Sequence, residues 1–258
     1  MQNNTFSTLF VGQNLIRLSE VDSTNNFLKA KASNSEPLPE GTVIMADNQF
    51  AGRGQQENTW YAEPGASLTF SIYLCPLFLP VYSQFLLNMA VSLGVKEALA
   101  GFLGDSLKIK WPNDLYDNDQ KVAGILIENI ISGSQYKASI VGIGVNVNQV
   151  NFDPVLLNRA TSLAKILQRD VNLMEVLAII CENIEAEYLK LKAGNFKMLQ
   201  YNYINGLYKF NQPAFYRHND EQFEGTITDV TGNGQLVILS EGTEKQFNFK
   251  EVEFLNNI

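Results

Sequence analysis

Histidine and cysteine are nearly missing from this 258-residue sequence, which holds one histidine, His218, and two cysteines, Cys75 and Cys181. A lone histidine between Arg217 and Asn219 makes a histidine-based triad or metal cluster a poor reading. Both cysteines lie among apolar neighbours without metal-ligand spacing, so neither a disulfide framework nor a zinc site is expected. A reducing cytoplasm is the expected setting. Positive charge is also short, with 19 Lys plus Arg against 27 Asp plus Glu and a net charge of -8. That excludes the long-range field by which non-specific nucleic-acid binders gather phosphate, so any polyanion must be held locally. No stretch of about 18 apolar residues stands out and the first ten residues carry no basic flank, so no spanning helix or secretory signal is expected. No Gly-Lys-Ser or Gly-Lys-Thr occurs, which excludes a standard P-loop.

What remains is the composition of a globule, 45% hydrophobic and 18% charged, long enough for one large domain or a large one plus a small one. Asp22-Ser23-Thr24-Asn25 before Phe27, Leu28 and Ala32 predicts a helix capped by Asp22 or Ser23. Residues 42–46 read as a buried strand. Leu68, Phe70, Ile72 and Leu74 alternate with Ser67, Thr69, Ser71 and Tyr73, the period of a strand with one apolar face. A long helix is predicted over 82–102. Strands at 107–111, 122–127 and 138–147 follow, then helices over 173–191 and 195–208. From about residue 210 short β-like pieces at 214–217, 225–230, 235–239 and 246–249 suggest a small barrel, with Gly232-Asn233-Gly234 as a turn. The reading is α/β (α+β), with a catalytic-sized domain over 1–209 and a small β-domain over 210–258. No low-complexity linker separates them, which predicts that they pack together.

Three motifs could carry chemistry. In Gly52-Arg53-Gly54 two glycines let the backbone approach a ligand, and the arginine offers a planar donor fork to phosphate or carboxylate. Taken alone the tripeptide is a solvated surface turn; Gln49 before it, Trp60 after it and the polar loop 55–59 are what favour a ligand site. In Lys110-Trp111-Pro112-Asn113-Asp114 a lysine leaves the strand face opposite Leu107, Ile109 and Trp111 just before a rigid break. Its ammonium suits a phosphate oxygen or a carboxylate; the alternative, also open to Lys108, is an edge-strand lysine in water. Gly142-Ile143-Gly144-Val145-Asn146-Val147-Asn148 lacks the third glycine and the helix of a dinucleotide fingerprint. Read as a strand, it places Asn146 and Asn148 on the face of Gly142 and Gly144, where the amides face either a nucleotide or the backbone.

In order along the chain, Ser23-Thr24-Asn25, Gln49 with Gly52-Arg53-Gly54 and Trp60, Lys110 to Asp114, Lys121-Val122-Ala123-Gly124-Ile125-Leu126-Ile127-Glu128 and the 142–148 motif closely resemble the biotin protein ligases. The resemblance implies a mixed-sheet catalytic domain of the biotin/lipoate ligase type with a C-terminal SH3-like barrel. It also implies a two-step reaction: biotin and ATP, with magnesium, give biotinyl-5′-adenylate, and a lysine of a biotin carboxyl carrier protein then takes the biotinyl group. Carried over by position, Ser23, Thr24, Asn25, Gln49, Gly52, Gly54 and Gly124 belong to the biotin site. Arg53 and Lys110 contact the biotin carboxylate and the α-phosphate as the catalytic pair. Gln55, Trp60, Asn113 and Asn146 border the nucleotide. No residue is assigned to a metal. Arg53 and Lys110 suit the task because two anions must meet and charge then builds on the phosphoryl group.

The sequence departs from the family pattern Gly-Arg-Gly-Arg-x-Gly-Arg-x-Trp, since the second and third arginines are Gln55 and Asn58 and the later glycine is Glu57. Two positive charges are missing and one negative is gained, which predicts either weaker phosphate capture and adenylate retention by this loop or a larger share of that load on Lys110 and magnesium. About twenty residues precede Ser23, so no DNA-binding domain and no transcriptional repression are expected. A monomer or a homodimer is compatible with the sequence. The rivals are a lipoate or octanoate ligase or transferase, and a non-catalytic ligand-binding adaptor.

Overall fold

The computed structural model describes residues 6–33, 38–55, 58–156 and 159–255. Strand β1 (Leu15–Val21) leads through α1 (Thr24–Ala32) into β2 (Val43–Gln49), which pairs parallel with β1. β3 (Leu68–Leu74), β4 (Leu107–Lys110), β5 (Asp114–Asp117), β6 (Gln120–Ser132) and β7 (Gln135–Val145) add antiparallel pairs. The result is a seven-stranded mixed sheet in the order β1-β2-β3-β7-β6-β5-β4.

The strand period of two sorts side chains onto the two faces. Val43, Met45, Leu68, Phe70, Ile72 and Leu74 join the main core with α2 (Gln84–Leu103) and α4 (Leu173–Lys192). Ile44 and Ile140 turn the other way, onto Leu28 of α1. The alternation predicted for β3 is present, but its polar face is not wet: Thr69 and Ser71 are buried beneath α1. α3 (Leu163–Leu167), capped by Ser162, and α5 (Phe196–Asn205) complete the helices.

Two expectations are corrected. The segment Val81–Ser106, which contains α2, is long and apolar enough to cross a membrane by length and composition, with mean hydropathy 1.4. Here it is a core helix, because small residues let it pack closely on α4: a Cβ on Gly94 would lie 2.7 Å from Ile184 Cα. The strand predicted through residue 147 ends at Val145, so Asn146 and Asn148 do not continue the face of Gly142 and Gly144. The ladder stops where Asn148 N–H turns away to Ala66 O at 2.7 Å.

Beyond α5, β8 (Pro213–His218), β9 (Glu221–Val230), β10 (Leu236–Ser240), β11 (Thr243–Phe247) and β12 (Glu253–Leu255) form a five-stranded antiparallel sheet in the order β11-β10-β9-β8-β12. Its β9–β10 turn is the seam with the larger sheet. Trp111 Nε1 donates to Gly234 O at 3.0 Å. A Cβ at Gly234, whose φ is +88°, would fall 2.3 Å from the Phe85 ring, so only glycine fits.

Candidate active site

A cavity of about 1170 Å³ opens between the two sheets. The α1 N-terminus, the loop after β2, strands β3, β6 and β7 and the β4–β5 turn form most of its wall, and residues around β8 and β12 close the far side.

One end is a knot of neutral polar groups. Ser23 caps α1 by its extended backbone (φ -155°) without a side-chain cap bond. Thr24 donates its backbone N–H and its hydroxyl to Gln49 Oε1, at 2.7 and 3.0 Å. Ser71 Oγ lies 2.7 Å from Thr24 Oγ1 and 2.6 Å from Asn25 Oδ1. Asn25 reaches this depth because Gly142 faces it: a Cβ there would lie 2.4 Å from Asn25 Oδ1. Gly144 does the same for Trp60, whose ring would lie 2.3 Å from an added Cβ. Interior strand glycines marked a close approach, as expected, but the approaching groups are side chains of this chain.

The Arg53 loop is folded back on itself. Arg53 bridges Thr59, Gly54 N–H donates to Asn58 O at 2.7 Å, and Trp60 N–H donates to Gly52 O at 3.0 Å. Gly52 is not on the cavity wall; it lets the chain fold back, since its Cβ would meet Trp60 O at 2.2 Å. The Arg53 guanidinium donates from Nη2 to Glu128 Oε2. Gln55 donates to Asn113 Oδ1 at 2.7 Å, and Asn113 Nδ2 donates to Ile125 O at 3.1 Å and Asn88 Oδ1 at 3.2 Å. Glu57 falls outside the described residues.

Two lysines face the cavity. Lys110 lies over the Tyr116 ring, 4.7 Å from its centroid, and donates to the Tyr116 hydroxyl at 3.3 Å. Burial holds its ammonium below the usual lysine range, with nearby Asp114 acting in the opposite direction. Burial likewise raises the Tyr116 hydroxyl, so it stays neutral. Lys121 is the functional-looking residue that sequence reasoning did not single out. Its Nζ pairs with Asp114 Oδ1 at 2.7 Å and lies 5.6 Å from the Trp60 ring centroid. The available signal was its place at the head of the 121–128 motif, and in the structure a Cβ on Gly124 would crowd Lys121 Nζ at 3.0 Å.

The structure therefore brings Ser23, Thr24, Asn25, Gln49, Arg53, Gly54, Gln55, Trp60, Lys110, Asn113 and Gly124 to one cavity. Asn146, expected at the nucleotide, is not on its wall. The carboxamide is buried and donates to Thr161 O at 3.0 Å, the backbone-satisfied alternative. His218 ends β8, with Nδ1 2.6 Å from Glu251 O. Among the described residues no group of three or more His, Cys, Asp or Glu could hold a metal ion.

The sequence profile of the Biotin/lipoate A/B protein ligase family matches residues 18–146. The Bifunctional ligase/repressor BirA of Bacillus subtilis is 31% identical over 247 residues, covering 93% of this chain and 74% of that protein. The Biotin--[acetyl-CoA-carboxylase] ligase of Mycobacterium tuberculosis is 27% identical over 183 residues, 69% of this chain and 65% of that protein. A solved biotin protein ligase from Aquifex aeolicus in complex with biotin and ATP matches with TM-score 0.79 and 30% identity, covering 95% of this chain and 100% of that chain. Likeness in sequence and in fold runs through both sheets and through the motifs that meet at the cavity, and this chain belongs to the biotin/lipoate A/B protein ligase family.

Proposed function

We propose that this chain activates biotin with ATP and transfers it to a protein lysine. A carboxylate oxygen of biotin attacks the α-phosphorus of ATP, the bond from that phosphorus to the bridging oxygen breaks, and pyrophosphate leaves. The lysine amine of the acceptor then attacks the acyl carbon of biotinyl-5′-adenylate, AMP leaves with the anhydride oxygen, and the amine loses a proton. The acyl acceptor and the attacking carboxylate both come from substrates, so no serine, cysteine or histidine nucleophile is required.

The observation that carries this reading is the meeting of Arg53, Lys110 and Lys121 in one cavity with a neutral hydroxyl and amide knot at its end. Ser23, Thr24, Asn25 and Gln49 offer directional hydrogen bonds to the polar ring of biotin. Arg53 and Lys110 offset the repulsion between carboxylate and triphosphate and then stabilise charge on the transferring group. Lys121, fixed by Asp114, adds a third cation. Trp60, Gln55 and Asn113 border the nucleotide, while Asn146 supports the wall through Thr161. Magnesium enters as the companion of the triphosphate, and no residue of the chain is assigned to it.

The acceptor in this reading is a biotin carboxyl carrier domain, the setting is cytoplasmic, and a monomer or homodimer serves equally. We read residues 1–209 as the catalytic domain and 210–258 as the small β-domain. The charge of -8 supports a reading without DNA as partner. Mass spectrometry of a carrier domain incubated with the protein, biotin and MgATP tests the reading, with biotinylation of one lysine expected. Pyrophosphate release must accompany it, and a pure binding adaptor would release none. Thermal stabilisation by lipoate but not by biotin would replace biotin with the rival acid.

A further inference from the structure

We propose that Phe254, in the last strand of the C-terminal sheet, is a positioning residue for Lys110, so that this sheet takes part in adenylation through one ring. The inference rests on the reading of Lys110 above. The Lys110 ammonium lies between two aromatic rings, with centroids at 4.7 Å for Tyr116 and 5.2 Å for Phe254. Among the described residues no carboxylate pairs with it; Asp114 is paired with Lys121, and Glu253 with Arg217 at 3.0 Å.

This arrangement suits a cation that must receive an anion. A carboxylate partner would neutralise Lys110 and would have to be displaced by a phosphate oxygen. Ring faces attract the ammonium through their quadrupoles and hold it in a set direction, and the N–H groups not donated to the Tyr116 hydroxyl stay free for the ligand. Phe254 is itself held in place. It lies opposite Tyr216 in the β8–β12 register, at 5.3 Å and 72° between rings, and stacks with Tyr208 at 6.4 Å and 30°. Tyr208 in turn packs against Tyr116 at 5.6 Å, so both rings over the ammonium belong to one aromatic group that joins the two sheets. Lys110, Tyr116 and Phe254 all face the cavity.

The test is a double-mutant cycle of Phe254→Leu, which keeps bulk but removes the π face, against Lys110→Met, read by pyrophosphate release and by biotin binding. Phe254→Leu should lower kcat about tenfold with the KM for biotin unchanged, Phe254→Tyr should restore it, and in the Lys110→Met background the Leu substitution should add nothing. Equal losses from Phe254→Leu in both backgrounds, or failure of Phe254→Tyr to restore the rate, would mean that the ring only supports the fold and would overturn the proposal. A normal rate in Phe254→Leu beside an impaired Lys110→Met would overturn it while sparing the role of Lys110. A fully active Lys110→Met would remove that role, and this inference with it.

Discussion

Arg53 and Asn25, far apart in sequence, donate to the same oxygen, Oε2 of Glu128. Lys29 Nζ approaches the other carboxylate oxygen at 3.7 Å. One carboxylate on β6 thus holds both a residue of the neutral knot and the cation beside it. Glu128→Ala should weaken biotin binding about tenfold, because a charge-assisted bond to Arg53 and the orientation of Asn25 are lost together. Glu128→Gln, which keeps an acceptor for Asn25, should lie between that variant and the wild type. Calorimetric titration with biotin decides, and an unchanged affinity in Glu128→Ala would remove Glu128 from the site's framework.

Gly142 and Gly144 leave room for different partners, so alanine at each should fail differently. A methyl at 142 collides with Asn25 and should weaken biotin binding, whereas one at 144 collides with Trp60 and should weaken ATP binding more. Overpacking of this kind costs about 1–3 kcal/mol, which both thermal unfolding and separate biotin and ATP titrations would register. The same loss for both ligands in both variants would contradict the separation.

Gln55 stands where the family pattern set out under Sequence analysis has arginine, and its amide is bonded to Asn113 at 2.7 Å. Gln55→Arg restores a positive charge beside the cavity and should slow escape of biotinyl-5′-adenylate, measured by trapping the free adenylate after a single turnover. An unchanged escape rate would show that the missing charge does not govern retention.

Burial lowers the pKa of Lys110 in the folded protein. The unfolded chain therefore holds this proton to higher pH than the folded one, and the buried charge destabilises the native state at neutral pH. That cost is relieved as pH rises from the lowered folded value towards the ordinary value of about 10.4. Lys110→Met should raise the melting temperature at pH 7, and its advantage over the wild type should shrink through this alkaline window. Adenylation should lose rate on the alkaline side earlier than an ordinary lysine would require. A melting difference that is flat with pH would dispose of the buried charge.

The sequence disclosed the residues that announce themselves locally. Arg53 lies between glycines, Lys110 precedes a Trp-Pro break, and the α1 N-terminus carries a hydroxyl pair, so each was visible from its neighbours. Lys121 and Glu128 stood at the ends of a motif without a role, and Phe254 in none, because what matters is the distant partner: Asp114 and Trp60 for the first, Arg53 for the second, Lys110 for the third. Periodicity placed β3 well but could not tell that its polar face would be covered by α1. It also ran β7 on through Asn146, since alternation gives no sign of where a ladder loses its partner strand. The three-residue β12 and five-residue α3 are too short to show a period of their own.

The seam at the β9–β10 turn is tolerant at one glycine and intolerant at another. An added Cβ at Gly232 would meet nothing within 4 Å, whereas one at Gly234 would strike Phe85 and strain the carbonyl that receives Trp111. Because Trp111 follows Lys110 directly, a reporter dye attached at position 232 would watch the two sheets shift against each other without touching the lysine's own anchorage. The same dye two residues later would pry that anchorage loose.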